Sequence, residues 1–256
     1  MADHVQSLAR GLAVIRAFSA AAPALTLSEV ARTTGLTRAA ARRFLLTLTD
    51  LGYVRSDGRR FSLTPRVLEL GYAYLSSLSL PDVADPHLER LVAEVRESAS
   101  VAVLDGEDVV YVARVATSRI MRVTINIGTR FPAYCTSMGR VLLAALPAGD
   151  LEAYLEGTAL RRLTSRTIVL PSALRAELER VRARGWAMVD QELEEGLRSI
   201  AAPVRDRSGR TVAAVNVSTH ASRTTPQHME RDLLPPLLST AAGIEADLTA
   251  LTVPRP

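Results

Sequence analysis

The chain has 256 residues, of which 48% are hydrophobic and 23% are charged, a composition that can build two folded domains. Its 31 basic residues are all arginine, which excludes enzymes that need a P-loop lysine, a pyridoxal phosphate lysine or a kinase lysine. The single cysteine, Cys135, excludes an intrachain disulfide and a cysteine zinc site, and the four scattered histidines form no HExxH motif. The first residues lack the apolar core of a signal peptide. We therefore expect a cytoplasmic protein with no metal and no cofactor.

The net charge of +4 is distributed unevenly along the chain. Residues 1–79 contain ten arginines and five acidic residues, a net charge of +5, whereas residues 80–256 carry −1. Within residues 32–66, eight arginines outnumber two acidic residues. This local excess predicts a small module that binds an anionic partner, followed by a larger and nearly neutral domain.

The first 64 residues have the pattern of three helices and a hairpin. A first helix is predicted over residues 5–19 by four apolar residues at helical spacing: Leu8, Leu12, Ile15 and Phe18. Thr26, with Glu29 three positions later, predicts a capping box for a second helix, which Gly35 ends. Thr37 can cap a third helix after one intervening residue. Two helices joined by so short a turn indicate a helix-turn-helix.

The third helix carries Arg38 and Arg42 one turn apart, on a face away from its apolar stripe and near the end at which recognition helices meet DNA bases. Arginine can hold guanine or a phosphate through two parallel hydrogen bonds. The run YVRSDGRRFSLT then predicts a hairpin at Asp57-Gly58, a wing that touches the phosphate backbone. A merely solvated charged surface is the alternative interpretation. The predicted DNA-binding residues are Thr37, Arg38, Arg42, Arg43, Arg59 and Arg60.

The rest of the chain predicts an α+β domain. Residues 65–80 have the pattern of an amphipathic linker helix, and a second amphipathic helix follows it. Alternating apolar residues predict hairpins that turn at Asp105-Gly106 and Ser208-Gly209, and a further strand over residues 122–128. Helices mixed with hairpins favour an antiparallel sheet in a domain over residues 81–252.

Two features of this domain indicate a ligand cavity. In the last strand, Asn216 and Ser218 share one face, and short hydrogen-bonding side chains can line a pocket; a solvent-facing strand is the alternative. Thr136 and Ser137 open a helix with no acidic residue in its first turn. The backbone amides there can hold a carboxylate, although an ordinary helix cap would have the same residues.

Cys135 directly precedes this helix, where a thiol can be activated as a nucleophile. No histidine is placed by the sequence to activate it, so a buried or pocket-lining thiol is favoured over catalysis. The alternative function is a small-molecule enzyme that uses Cys135 in the C-terminal pocket and is tethered to nucleic acid by the basic module. The acidic run QELEEG, residues 191–196, is interpreted as a solvated loop or a helix start in preference to a pair of catalytic carboxylates.

Three segments resemble the IclR family of bacterial transcription regulators in order and spacing: QSLARGLAVIRAFS, the winged helix-turn-helix, and GWAMVDQELEEGLRSIAAPVRDRSGRTVAAVNVS. In the last segment the residues that fit the family signature are Gly185, Glu192, Ser199, Ile200 and Ala201. Within the family, INIGTRFPAYCTSMGRVLL and LEEGLRSIAAPVRDRSGRTVAAVNVSTHASR are most similar to regulators of the protocatechuate and β-ketoadipate (Pca) pathway.

The resemblance implies a winged helix-turn-helix over residues 1–64, a linker helix over 65–80 and a GAF-like effector-binding domain over 81–252. It implies a homodimer or a dimer of dimers, a double-stranded DNA operator, no catalysis, and control by a small carboxylate from aromatic catabolism. Val189 stands where some members carry an acidic group, which favours a less polar or more anionic ligand. The effector-binding positions implied are Tyr134, Thr136, Ser137, Val189, Ser199, Asn216 and Ser218.

Overall fold

The structure, a computed structural model, describes residues 5–70, 80–117 and 125–251. The chain divides into two compact units, Met1–Ser77 and Leu78–Pro256. Within the described ranges, no helix is long and apolar enough to cross a membrane.

The first unit contains three helices and a small antiparallel sheet. The helices are α1 (Gln6–Arg16), α2 (Leu27–Thr34) and α3 (Arg38–Asp50). The strands are β1 (Ala24–Thr26), β2 (Val54–Ser56) and β3 (Arg60–Leu63), in the order β1-β3-β2. The core between them consists mainly of Val14, Phe18, Leu25, Val30, Ala41, Leu45, Leu48 and Val54.

Side-chain caps decide where α2 and α3 begin and end. Thr26 and Glu29 form the predicted capping box, in which the Thr26 amide donates to the Glu29 carboxylate at 2.8 Å. Gly35 ends α2 with a φ of 67°, a left-handed conformation that glycine adopts without strain. The Thr37 hydroxyl oxygen accepts a hydrogen bond from the Ala40 amide and begins α3. The predicted helix-turn-helix follows directly from these caps.

The apolar stripe predicted for α1 is only partly a core face. The helix ends at Arg16, and Phe18 packs into the core from beyond that end. Leu8 and Leu12 are 64% and 48% exposed, and both border a surface groove between α1 and α3. Helical spacing alone therefore does not place these two leucines in the core.

The linker helix predicted over residues 65–80 is described only in part. Pro65–Val67 form a 3₁₀ turn, capped by the Thr64 hydroxyl oxygen, which accepts a hydrogen bond from the Arg66 amide. Residues 71–79 lie outside the described residues, and with them most of the predicted helix.

The second unit is built on a six-stranded antiparallel sheet, in the order β6-β5-β4-β9-β8-β7. Its strands are β4 (Ser98–Asp105), β5 (Asp108–Val115), β6 (Arg130–Pro132), β7 (Ala187–Asp190), β8 (Leu197–Arg205) and β9 (Thr211–His220). Its helices are α4 (Leu80–Val95), α5 (Ser137–Ala144), α6 (Ala148–Gly157), α7 (Pro171–Arg184) and α8 (Leu234–Leu251). A 3₁₀ turn, Ala133–Cys135, precedes α5, and a π-helical turn, Met229–Leu233, precedes α8.

Strand alternation sorts the core of this unit into two layers. One face of the sheet packs against α5, α6 and α7, and the other face packs against α4 and α8. In β4, for example, Ala102 belongs to the first layer and Val101 to the second. The hairpins turn where predicted, with Gly106 and Gly209 at φ values of 62° and 81°. The predicted α+β class with an antiparallel sheet is confirmed.

The strand predicted over residues 122–128 is wrong where the structure describes it. Residues 122–124 lie outside the described residues, and residues 125–128 form a turn. The Asn126 amide donates to the Thr129 hydroxyl at 2.9 Å, and the Gly128 amide donates to the Tyr111 carbonyl at 2.7 Å. Gly128 has a φ of 85°, which an extended strand cannot accommodate. The edge strand is β6, a few residues later.

Candidate functional site

Exposed arginines without acidic partners mark α3 of the first unit. Arg38 and Arg42 lie one helical turn apart in the N-terminal half of α3, and both are exposed. In the described part of the chain, no carboxylate pairs with them or with the nearby Arg43. Their guanidinium groups can therefore bind an external anion without breaking an ion pair.

The remaining predicted residues on α3 differ in direction. Successive helical residues are rotated by about 100°, so Arg43 points away from Arg42. Arg43 borders a groove that also contains Arg10 of α1. Thr37 is exposed, and its hydroxyl can still donate to a phosphate while its oxygen caps α3.

The wing between β2 and β3 is held by its own turn. Asp57 Oδ1 accepts hydrogen bonds from the amides of Arg60 and Arg59, at 2.7 and 2.9 Å. These bonds, the one from Arg60 first, lower the pKa of Asp57. The Arg60 guanidinium donates to the Ala24 carbonyl at 3.5 Å, which ties it to β1. Arg59 stays exposed at the tip, where it can reach a phosphate.

The second unit contains a small cavity between the sheet and the start of α5. Six of the seven predicted effector-binding residues line it: Thr136, Ser137, Val189, Ser199, Asn216 and Ser218. The other lining residues are Tyr111, Ile125, Cys135, Leu193 and Leu197. Among the residues described, this lining contains no charged side chain.

Strand register brings distant segments together at the floor of the cavity. Val189 on β7 lies opposite Ser199 on β8, which in turn lies opposite Ser218 on β9. Asn216 lies two positions before Ser218 and so shares its face. All four residues are buried. Neighbouring strands thus contribute one continuous polar row with Val189 at its end.

Two buried polar atoms of the cavity lack a hydrogen-bond partner within the described chain. They are Ser137 Oγ and Asn216 Oδ1. The amide group of Asn216 donates from Nδ2 to Ser218 Oγ at 3.0 Å, which leaves its oxygen unpaired. A buried polar atom without a partner costs on the order of 1–3 kcal/mol. A polar ligand would remove this cost by bonding to both atoms.

The start of α5 provides further donors. Thr136 caps the helix, since its hydroxyl oxygen accepts from the Gly139 amide at 3.1 Å. With no acidic residue in its first turn, the helix keeps an uncompensated partial positive charge at this end. A Cβ on Gly139 would lie 2.1 Å from the Ala133 carbonyl oxygen. Glycine is therefore required for the 3₁₀ turn to pack so closely against the helix.

Tyr134 departs from its expected position and does not line the cavity. Its hydroxyl donates to the Arg161 carbonyl at 2.8 Å and accepts from the Arg161 amide at 3.1 Å. The ring is buried in the same core layer as α5. Tyr134 thus braces the loop that follows α6, one step removed from the ligand space.

Cys135 is a buried thiol on the cavity wall. Burial is the main cause that raises its pKa to about 12, so the thiol keeps its proton at neutral pH. Its sulfur donates a weak hydrogen bond to the Pro132 carbonyl. A thiol in these surroundings is a poor nucleophile.

A buried ion pair that no sequence pattern predicts lies near Cys135. Arg140 Nη2 lies 2.6 Å from Glu192 Oε2, and both side chains are buried. Arg140 Nε also donates to the Tyr134 carbonyl, and the Ile168 amide donates to the Glu192 carboxylate. Glu192 is buried, so the interpretation of residues 191–196 as a solvated loop is wrong for this residue. No local signal could reveal it, because its partner is 52 positions away.

A protein that controls DNA in response to a small molecule needs a basic recognition surface and a separate ligand cavity, and each unit of this chain supplies one of them. The fold and the two surfaces define the class of DNA-binding transcription regulators. Residues 7–58 match the IclR helix-turn-helix domain, and residues 72–246 match the family described as bacterial transcriptional regulator IclR C-terminal. The chain belongs to the IclR family and is a transcriptional regulator, not an enzyme.

Three relatives illustrate this membership. The Pca regulon regulatory protein of Pseudomonas putida is 50% identical over 94% of this chain and 84% of its own length. A regulator from Rhodococcus sp. RHA1 has a crystal structure that is 61% identical, with a TM-score of 0.88 over 97% of this chain and 100% of that chain. An IclR homologue from Microbacterium hydrocarbonoxydans, crystallised with 4-hydroxybenzoate, is 28% identical, with a TM-score of 0.84 over 95% of this chain and 99% of that chain.

Proposed function

We propose that this regulator controls genes for the breakdown of aromatic acids in the cytoplasm, and that a small carboxylic acid in its cavity modulates its binding to an operator. The observation that carries the proposal is the pair of unpartnered buried atoms, Ser137 Oγ and Asn216 Oδ1, in a cavity whose described lining carries no charge. Its similarity to a Pca regulon regulator, and to a homologue that holds 4-hydroxybenzoate, supports the same class of ligand.

The chemistry of the cavity supports an acid with a second polar group. Ser137 and the first amides of α5 can donate to a carboxylate, and Asn216 Oδ1 can accept a hydrogen bond from a ligand hydroxyl. Val189 offers no polar atom, and Leu193 and Leu197 add apolar walls. We therefore expect a compact ligand with an apolar body, such as a hydroxybenzoate, rather than a sugar acid.

For DNA, we propose that α3 enters the major groove. Arg38 and Arg42 are assigned to base edges, because they share one edge of the helix near its N-terminus. The positions assigned to the phosphate backbone are Thr37, Arg43, Arg59 and Arg60. The absence of described acid partners for the α3 arginines supports their availability to DNA.

We also propose that the regulator binds as a homodimer whose first units associate through α1. Leu8 and Leu12 are exposed on that helix, Val5 is exposed just before it, and Leu51 is exposed beside it. Helix-turn-helix proteins read two half-sites as symmetric dimers, and a second copy of the chain would cover this apolar strip. Leu8→Glu should then lower the dimer fraction in sedimentation experiments, whereas Leu238→Glu on α8 should not.

The central experiment selects operator DNA from random duplexes with the full-length protein. We expect a consensus sequence with two-fold symmetry, and binding measured by fluorescence anisotropy that changes when 4-hydroxybenzoate or 3,4-dihydroxybenzoate is added. Recovery of random sequences would contradict the DNA part of the proposal. Operator affinity that no aromatic acid alters, across millimolar concentrations, would contradict the effector part.

A further inference from the structure

Arg114, near the end of β5, is a partly buried arginine for which the structure describes no acidic partner. Its guanidinium makes one long hydrogen bond, from Nη1 to Ser100 Oγ at 3.5 Å. Burial lowers the pKa of this guanidinium, because the group is partly shielded from water. The more deeply buried Arg140 and Arg198 each pair with a carboxylate. A partly buried cation without a counter-ion favours an anionic ligand nearby.

A β-bulge turns Arg114 to the cavity side of the sheet. In a regular strand, residues three positions apart point to opposite faces, so Tyr111 and Arg114 would do so. The register between β4 and β5 shifts by one residue in this region, and Val112 and Ala113 both pack against the α4 and α8 layer. Tyr111 and Arg114 therefore share the other face, on which the cavity lies.

The bulge also brings the charge next to the cavity floor. Arg114 lies directly opposite Ser100 on β4, and Ser100 lies opposite Asn216 on β9. Neighbouring strands are about 4.8 Å apart, so the backbones of Arg114 and Asn216 are about 10 Å apart. An extended arginine side chain covers most of that distance over the small Ser100. Tyr111, on the same strand and face, already lines the cavity.

We propose that Arg114 is the cation that makes this cavity select a carboxylate over a neutral ligand of the same shape. The inference rests on the proposed function, because it requires an acid in the cavity. The described lining has no charge of its own, and the start of α5 supplies only partial charges. A full positive charge must come from a neighbouring group. Arg114 lies on the cavity face of the sheet, and its side chain can span most of the distance to Asn216. The structure describes no carboxylate that pairs with its guanidinium.

Isothermal titration calorimetry on the full chain measures the Kd of three acids: benzoate, 4-hydroxybenzoate and 3,4-dihydroxybenzoate. The Kd of the amide that matches each acid is measured in the same way. We expect the unmodified protein to bind at least one acid more tightly than its amide. Arg114→Gln should weaken the binding of that acid about 10- to 100-fold and the binding of its amide less than about threefold. Arg114→Lys should restore part of the preference. Arg205→Gln is the matched control, because Arg205 pairs with Glu245 away from the cavity and its loss should change neither affinity.

The outcomes separate this inference from the proposed function. If Arg114→Gln keeps the full preference for the acid, the role of Arg114 is overturned and the acid effector stands. If no acid of the set binds the unmodified protein, both are overturned. Should Arg114→Gln fail to fold, Arg114→Met keeps the packing of the alkyl stem and decides the same question by the same ratio of affinities.

Discussion

Single arginines of this chain differ in what surrounds their guanidinium groups. Arg42 and Arg59 end in solvent, and the structure describes no carboxylate that pairs with either. In the second unit, Arg140 and Arg175 are held by Glu192 and Glu152. Because the chain has no lysine, every one of these roles falls to the same side chain. The residues around an arginine therefore decide whether its guanidinium is available to DNA or is held in an ion pair.

Substitutions of Arg42 and Arg59 should change DNA binding in different ways. Arg42→Ala should weaken binding to the selected operator by about 1–3 kcal/mol and reduce its preference over a scrambled duplex, because it removes a base contact. Arg59→Ala should weaken both duplexes alike and reduce the slope of log affinity against log salt by about 1, because it removes a phosphate contact. Anisotropy titrations over a range of salt concentrations measure both quantities.

Arg207→Ala is the control for charge, since Arg207 is an exposed arginine at the β8–β9 turn of the second unit. It should alter neither the preference nor the salt slope. Equal behaviour of Arg42→Ala and Arg59→Ala would refute the division between base and phosphate contacts.

Asn216 offers a test of the cavity at the same scale. At a ligand concentration one hundred times its Kd, binding should stabilise the protein by about 2.7 kcal/mol and raise its Tm by several degrees. Asn216→Leu should abolish this rise, because it removes the amide that bonds the ligand and fills polar space with an apolar group. DNA affinity without ligand should stay unchanged. A variant that keeps the full rise in Tm would exclude Asn216 from the binding site.

At the scale of elements, the start of α5 depends on close contact between a helix and a turn. Gly139→Ala should destabilise the protein by about 1–3 kcal/mol, because its new Cβ would overlap the Ala133 carbonyl oxygen. Gly149→Ala is the matched control: Gly149 is also helical, and nothing lies within 4 Å of a Cβ there. That variant should be neutral or slightly stabilising. Urea unfolding distinguishes the two, and similar effects would refute the close-packing argument.

The buried pair between Arg140 and Glu192 joins α5 to the loop before β8. Glu192→Ala should cost about 3–5 kcal/mol of unfolding free energy, because it leaves the Arg140 charge buried without its partner. The double variant Arg140→Met with Glu192→Leu should recover part of this loss. Glu152→Ala, which breaks the more exposed pair with Arg175, should cost far less than Glu192→Ala, because solvent screens that pair. If the double variant is no more stable than Glu192→Ala, the unpaired charge is not the cause.

At the scale of the whole molecule, buried neutral acids limit stability at high pH. A thiol in an unfolded chain ionises near pH 8.5, whereas burial raises the pKa of Cys135 to about 12. Below pH 8 both states keep the proton, and above it the unfolded state alone loses the proton, so the free energy of unfolding falls as the pH rises. Tyr111, whose pKa burial raises to about 12, adds to this fall above pH 10.

Urea unfolding at pH 7.5 and pH 10 tests this dependence. The unmodified protein should lose about 2 kcal/mol through Cys135 between these two pH values. For Cys135→Ala, the free energy of unfolding should fall between these pH values by about 2 kcal/mol less than for the unmodified protein. This difference should hold whatever the stability of the variant at pH 7.5. An identical loss in both proteins would show that the thiol is not held neutral by the fold.

The sequence by itself determined the features that depend on a few neighbouring residues. The capping box of Thr26 and Glu29, the helix ends at Gly35 and Gly185, and the glycine turns of the hairpins all act within four positions. Charge is also a local property, and the excess of arginine on the first unit could be counted directly. The polar face of Asn216 and Ser218 followed from strand alternation alone.

Only the tertiary structure decided which side chains meet. The order of the strands places Ser100 between Arg114 and Asn216, residues that lie some hundred positions apart in the chain. One extra residue in β5 turns Arg114 from the face that packs against α4 and α8 to the face that carries the cavity, although simple alternation assigns it to the former. Glu192 is buried for a similar reason, since its partner comes from a distant helix. Periodicity and caps act along the chain, whereas register, bulges and ion pairs depend on contacts across it.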